Sequence, residues 1–363
     1  MEKKVLIITY YWPPSGGSGV QRWLKFVKYL PGFGWQPYVF TPEDPSFEMQ
    51  DDTLLKDVPP EAEVIKLPIW EPYDFFFKIS KLVSKKKKIK TTDFVSTGKK
   101  SWFQKISVFI RGNFFIPDPR IFWVRPSVAF LHDFLTERKI ELIVTTGPPH
   151  SMHLIGLKLK KKNPSLKWIA DFRDPWSEWE LVESLSLSAI ARKKHVRLEN
   201  TVLKAADHVL TVTPKLVKSL SALGAKNISL ITNGYDEDDL RSVRYERGDK
   251  FRIKHIGLVD GWRDPRPFME SVRQVCHENE KFKSVISIEF VGKVDEEFKR
   301  WVFNDAFLNT ITSFQPQVTH DEVLRLYGHS DILLMLTTTG KEGDGHLPGK
   351  MFEYIGAKRP VLA

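Results

Sequence analysis

An α/β chain with two mostly parallel sheets follows from the order of its segments. Short apolar strands alternate with helix-length stretches, the alternation restarts near residue 251, and a polar segment divides the two series. A length of 363 residues accommodates two domains. With 42% hydrophobic and 28% charged residues, the composition is that of a globular protein able to bury large cores.

The first series opens with KVLIITY (4–10), a strand candidate, then a Gly/Ser turn and a helix pattern from about Val20 to Leu30. QPYVF (36–40), ELIVTT (141–146), KWIADF (167–172), DHVLTV (207–212) and ISLIT (228–232) continue the strands. The second series begins with FRIKHIG (251–257), a strand ending in glycine. RPFMESVRQVCHE (266–278) reads as a helix and VISIEFVG (285–292) as another strand ending in glycine. In THDEVLRLYGHS (319–330), Thr319 caps a helix that has Glu322 three residues on. DILLMLT (331–337) is the next strand. The segment YDEDDLRSVRYERGDK (235–250) has no apolar periodicity, so the domains are expected at 1–240 and 250–363.

Residues 70–130 interrupt the first series with aromatics (YDFFF, SWFQKISVFIRGNFF, IFW) and lysines. Either these are amphipathic helices for a membrane interface, or a helical subdomain packs its aromatics into the first core. The net charge of +10 is concentrated there, in KLVSKKKKIK (81–90) and in Lys99, Lys100 and Lys105. Such a cluster attracts polyanions or an anionic membrane, or it is a solvated loop. No nucleic-acid motif accompanies it, so nucleic acid is not an expected partner.

Cys276 is the single cysteine and cannot form an intramolecular disulfide, which fits a reducing compartment. No stretch approaches the roughly 20 apolar residues of a membrane span. The apolar run after Lys4 is short, β-branched and without a small-residue cleavage site, so it reads as a strand and not a signal peptide. The expected location is the cytoplasm, at the inner face of the membrane if the insertion binds lipid.

Chemistry-bearing residues gather after strands, where open α/β sheets bind ligands. In YYWPPSGGSGVQR (10–22), Gly16, Gly17 and Gly19 leave backbone open to a ligand at a helix start, unless they form only a flexible turn. The spacing is not that of a dinucleotide fingerprint, which argues against a nicotinamide cofactor. In TTGPPHSMH (145–153), His150 stands at a helix start and faces the crevice or simply packs. In ADFRDPWSEW (170–179), Asp171, Arg173 and Asp174 orient substrate hydroxyls or form an internal ion-pair network, with Arg173 leaning to the structural role. Arg263 and Arg266 in GLVDGWRDPRPF (257–268) could seat phosphate oxygens.

The closing stretch PGKMFEYIGAKRPVLA, with the strand DILLMLT and the loop TTTGKEGDGH before it, resembles the donor-nucleotide motif of GT-B glycosyltransferases of the family-4 type. The Gly-rich first loop, TNGYD (232–236), HIG…R and VTHDEVLRLYGHSDILLM fall in the family's order over nearly the whole chain. FRDPW and IPDPRIFWVRPS look similar to bacterial surface-polysaccharide members. The resemblance implies an α/β fold of two Rossmann-like domains facing across a cleft, with a nucleotide-sugar bound mostly by the second. It implies that the helix from Gly349 offers its amides to the diphosphate, that Lys350 and Arg263 neutralise phosphate charge, and that Glu353 accepts from ribose hydroxyls. His150 would match the first-domain histidine near the sugar. No metal or other cofactor is expected.

Two positions depart from the family. Gly345 stands eight residues before Glu353, where members carry a glutamate that contacts the donor sugar; Asp344, Glu342, His346 or loop backbone would substitute. Leu258 falls where many members carry a phosphate-binding arginine, leaving Arg263 as the candidate. In that fold RPVLA is a mid-sheet strand, so the resemblance implies an incomplete second domain lacking on the order of 50 residues. The alternative is a shortened domain.

The expected activity is transfer of a sugar, with retention, from a nucleotide-sugar to a glycan or lipid-linked acceptor in cell-surface polysaccharide assembly. The rivals are a sugar-nucleotide epimerase or hydrolase of the same fold, and a non-catalytic membrane- or polyanion-binding protein.

Overall fold

The computed structural model describes residues 3–46, 49–71, 102–178, 185–241, 243–337 and 347–363. Its contacts divide the chain into two units, Met1–Thr232 and Asn233–Ala363.

The first unit is built on seven parallel strands: β1 (Lys3–Ile8), β2 (Trp35–Glu43), β3 (Glu63–Pro68), β4 (Leu142–Gly147), β5 (Lys167–Phe172), β6 (His208–Thr211) and β7 (Ile228–Leu230). They lie in the order β3-β2-β1-β4-β5-β6-β7. The unbroken apolar run of β1 is explained by burial on both faces. Val5 and Ile7 pack with Val20, Leu24 and Val27 of the Ser18–Tyr29 helix. Leu6 and Ile8 point the other way, into a core with Trp123, Leu131, Ile155 and Trp168. Each such side chain contributes about 1.5–3 kcal/mol relative to exposure.

The second unit has five parallel strands: β8 (Phe251–Ile256), β9 (Ile286–Val291), β10 (Thr312–Gln315), β11 (Ile332–Leu334) and β12 (Val361–Leu362), in the order β10-β9-β8-β11-β12. Ile253, Ile288 and Phe290 meet Met269, Val272 and Phe298 on one face. Ile256, Val291 and Leu333 meet Leu324, Tyr327 and Tyr354 on the other. The His320–Gly328 helix begins under the cap expected for it, with Thr319 Oγ1 accepting from the Glu322 amide at 3.4 Å. The polar segment 235–250 belongs to this unit. Its Tyr245 donates to Asp331, which also accepts from the Arg252 amide at 2.7 Å.

Of the interrupting segment, residues 72–101 lie outside the described residues, and with them the lysine run 81–90, Lys99 and Lys100. The remainder forms the Trp102–Phe114 helix, a short 3-10 turn at Pro119–Trp123 and the Val124–Arg138 helix. Its aromatics divide by burial. Trp123 is buried and stacks on Phe40 at 4.8 Å, while Phe114 and Phe122 are 70% and 46% exposed.

In each unit the strand order reverses once, between β1 and β4 and between β8 and β11. At such a reversal the connections leave in opposite directions and open a crevice at the carboxyl ends of the strands.

Candidate functional site

At the first unit's crevice, the chain leaving β1 buries Tyr10 and Trp12, then turns through Gly16 and Gly17. Gly17 has φ +93, a backbone that favours glycine, and it opens the Ser18–Tyr29 helix without a side-chain cap. Gly16 serves close packing: its amide donates to the Met49 carbonyl at 3.0 Å, and a Cβ there would stand 3.0 Å from Met49 Cγ.

Asp171, at the end of β5, is fully buried. Its carboxylate accepts from Arg22 Nη2 (3.1 Å), Trp23 Nε1 (2.7 Å) and Thr146 Oγ1 (2.9 Å), so it ties the first helix to β4 and β5. Arg173 does not sit between carboxylates, as the sequence suggested for an internal network. It donates to the carbonyls of Gly19 (2.7 Å), Pro148 (2.5 Å) and Gly147 (3.4 Å), fastening the β1 loop to the β4 loop. Asp174 is half-buried beside it.

His150 closes the β4 loop, 4% exposed, with its ring stacked on Trp176 at 4.9 Å and nearly parallel to it at 4°. Burial holds its pKa well below 6.5, and neighbouring His153 adds to this against a bond to the Pro175 carbonyl, so the imidazole is neutral. His153, one turn on, stacks on Phe172 at 4.3 Å and shares a 2.9 Å bond with Thr145 Oγ1; burial lowers it to about 3. Asp118 sets the start of this helix, accepting from the Ser151 amide (2.8 Å) and hydroxyl (2.9 Å). Trp176 is held from behind, its indole N–H donating to His195 Nδ1 at 3.1 Å.

At the second unit's crevice, β8 ends at Gly257. A Cβ at that position would lie 3.0 Å from Lys350 Nζ and 3.3 Å from His255 Nε2, so glycine makes room for both. Gly292, after β9, has φ +129 and approaches the Gly257 carbonyl so closely that a Cβ would stand 2.3 Å from it. Beyond β11 the Gly349–Gly356 helix starts with no side-chain cap among the described residues, and a Cβ at Gly349 would stand 3.8 Å from Asn233 Nδ2.

Lys350 is half-buried and donates to the Ile256 carbonyl. Desolvation lowers its pKa to about 8, Glu353 opposing, so it is a cation at neutral pH. Glu353 Oε2 accepts from Tyr327 OH at 2.5 Å, and Tyr354 OH accepts from the Ile256 amide at 3.2 Å. Burial first, then Glu353, raises the Tyr327 hydroxyl well above 10, keeping it a donor. His255 donates from Nδ1 to the Leu334 carbonyl at 2.9 Å. Burial lowers it to about 4, with the positive charge of Lys350 adding to that, and both side chains border the space at Gly257. Arg263 is 29% exposed and is steered by Asp260, 3.0 Å away.

The structure thus gathers Gly349, Lys350, Glu353 and Arg263 around one crevice and Gly16, Gly17, His150, Asp171 and Arg173 around the other. Asp344, with Glu342, Gly345 and His346, lies outside the described residues. Sequence reasoning missed Tyr327, His255, Arg22 and Asp118. A histidine interrupting the apolar strand FRIKHIG was the one available signal for His255.

No protein-family model and no curated protein sequence matches the chain. Solved structures do. Sucrose-phosphate synthase from Thermosynechococcus elongatus superposes with a TM-score of 0.59 at 14% identity, over 99% of this chain and 80% of that one. A glycosyltransferase from Rickettsia africae gives 0.59 at 13% identity, over 99% and 78%. WaaG, a glycosyltransferase involved in lipopolysaccharide biosynthesis, gives 0.56 at 13% identity, over 98% and 80%. The chain therefore has the fold of GT-B glycosyltransferases, with two Rossmann-like units, each on its own parallel sheet.

Proposed function

We propose that this chain is a GT-B glycosyltransferase of the family-4 type. It transfers a sugar from a nucleotide-sugar to a glycan or lipid-linked acceptor of a cell-surface polysaccharide, with retention of configuration. The carrying observation is the second unit's crevice, where the Gly349–Gly356 helix start with Lys350 follows β11 and the turn with Arg263 follows β8, the two strands at the reversal of strand order. Helix amides and a desolvated cation suit a diphosphate, whose negative charge grows as the glycosidic bond breaks. Lys350 and Arg263 carry that charge without a metal or another cofactor. Glu353, oriented by Tyr327, accepts from the ribose hydroxyls.

In the first unit the neutral His150 hydrogen-bonds a sugar hydroxyl, and the Gly16–Gly17 turn with Asp171, Arg173 and Asp174 shapes the acceptor-side loops. Asp344 is assigned to the donor sugar. Exposed Trp70, Phe114 and Phe122 support contact with a membrane that presents the acceptor, at its cytoplasmic face. Among the described residues no helix is long and apolar enough to cross a membrane.

The test is product analysis with a panel of nucleotide-sugars, with and without a membrane lipid extract as acceptor. Transfer should require the extract and should vanish in Lys350→Ala and Glu353→Ala while circular dichroism stays unchanged. Epimerised or hydrolysed donor without acceptor would replace transfer by the rival chemistry. Wild-type turnover by both variants would overturn the site.

A further inference from the structure

A second cationic feature lies in the first unit and shares no residue with that unit's crevice. The Val124–Arg138 and Ser151–Lys162 helices pack side by side on the sheet and leave between them an open groove of about 390 Å³. Arg125 stands on one side, Lys158, Lys161 and Lys162 on the other, and Val128 and Ala129 form the floor. Among the described residues no acidic side chain lines it.

None of these four cations has an ion pair or hydrogen bond among the described residues. Their neighbour Lys160 is the contrast: it turns inward and pairs with Asp207 at 2.8 Å. The helix dipole accounts for lysines in the last turn of Ser151–Lys162. It does not account for Arg125, which approaches from the first turn of the other helix, where a cation is disfavoured. Like charges three and four residues apart on one helix repel, so Lys158, Lys161 and Lys162 cost stability unless an anion is shared among them.

We propose that this groove binds a phosphate group, through the Arg125 guanidinium and the three ammonium groups. Guanidinium matches two phosphate oxygens at once, and the lysines supply point charges around the remainder. The apolar floor takes the uncharged part of the molecule that carries the phosphate. Two sources share this chemistry: a soluble diphosphate compound and an anionic phospholipid headgroup. The groove shares no residue with the crevice holding Lys350, and it stands whether or not the chain transfers sugars.

The experiment uses two probes on the whole chain, the wild type and the Arg125→Gln/Lys161→Gln double variant. Inorganic pyrophosphate is titrated calorimetrically without added nucleotide, and a Lys350→Ala control identifies the share bound at the second unit's crevice. In parallel, the protein is sedimented with vesicles of phosphatidylglycerol and phosphatidylcholine. Saturable pyrophosphate binding that the variant loses assigns the groove to a soluble phosphate compound. Vesicle binding without pyrophosphate binding, weakened roughly thirtyfold by removal of the two cations, assigns it to a headgroup. Binding to neither probe, or binding that the double variant leaves unchanged, overturns the proposal. Both substitutions are at exposed positions, and unchanged urea unfolding of the variant excludes misfolding as the cause of a loss.

Discussion

At the β1/β4 crevice, Asp171 is filled by Arg22, Trp23 and Thr146, and Arg173 by three backbone carbonyls. At the β8/β11 crevice, Lys350 holds one carbonyl and Arg263 one partly exposed carboxylate. The two share a strand order and the same reversal, yet the first has turned its charges inward while the second leaves cations at the mouth. A buried ion pair that is fully hydrogen-bonded fixes loops and binds nothing further. A half-buried cation beside an uncapped helix start still favours an anion. Topology alone places a crevice; the polar pairing decides whether it is scaffold or site.

The largest expected effect breaks the scaffold. Asp171→Asn leaves the Arg22 guanidinium buried without its counter-charge and should cost about 3–5 kcal/mol in urea unfolding at neutral pH. The second crevice should respond in the opposite manner. Lys350→Met should leave stability near wild type and weaken nucleoside diphosphate binding by roughly ten- to a hundredfold, the worth of a charged hydrogen bond. In the wild type that affinity should fall as pH rises through about 8, where Lys350 loses its proton.

Acid sharpens the same contrast. His153 is held at about 3 and His255 at about 4, whereas the unfolded chain takes up protons near 6.5. Their contribution is complete above pH 6.5 and is lost as pH falls, by up to about 1.4 kcal/mol per pH unit for each. Stability followed by urea midpoint against pH should keep falling to about 3 through His153, and His255→Gln should flatten the curve only above about 4. The smallest effect is that of Tyr327→Phe. Loss of its bond to the Glu353 carboxylate should cost about 1.5 kcal/mol, read from the thermal midpoint.

How much of this was legible follows the range of each interaction. The run KVLIITY announces β1 because both faces are buried, and DILLMLT announces β11 for the same reason. β3 and β10 were not foreseen. They lie at the sheet edges, where β10 alternates half-buried and exposed residues, β3 mixes the two, and neither supplies an apolar run. Lys350 and Glu353 were readable because one helix turn carries both. The Arg22–Asp171 pair spans 149 residues and the Tyr327–Glu353 bond joins two separate helices, and no local pattern encodes either. Arg173 was placed in the right loop with the wrong partners, since carbonyl acceptors leave no mark in a sequence.

The central claim is that nucleotide phosphate is held by the second unit's crevice and not the first's. Hydrogen–deuterium exchange with and without saturating uridine diphosphate measures this directly. The account predicts slowed exchange in peptides covering 255–263 and 347–357, with 10–22 and 145–153 unchanged. Protection confined to 10–22 and 145–153, or to neither pair, would contradict it.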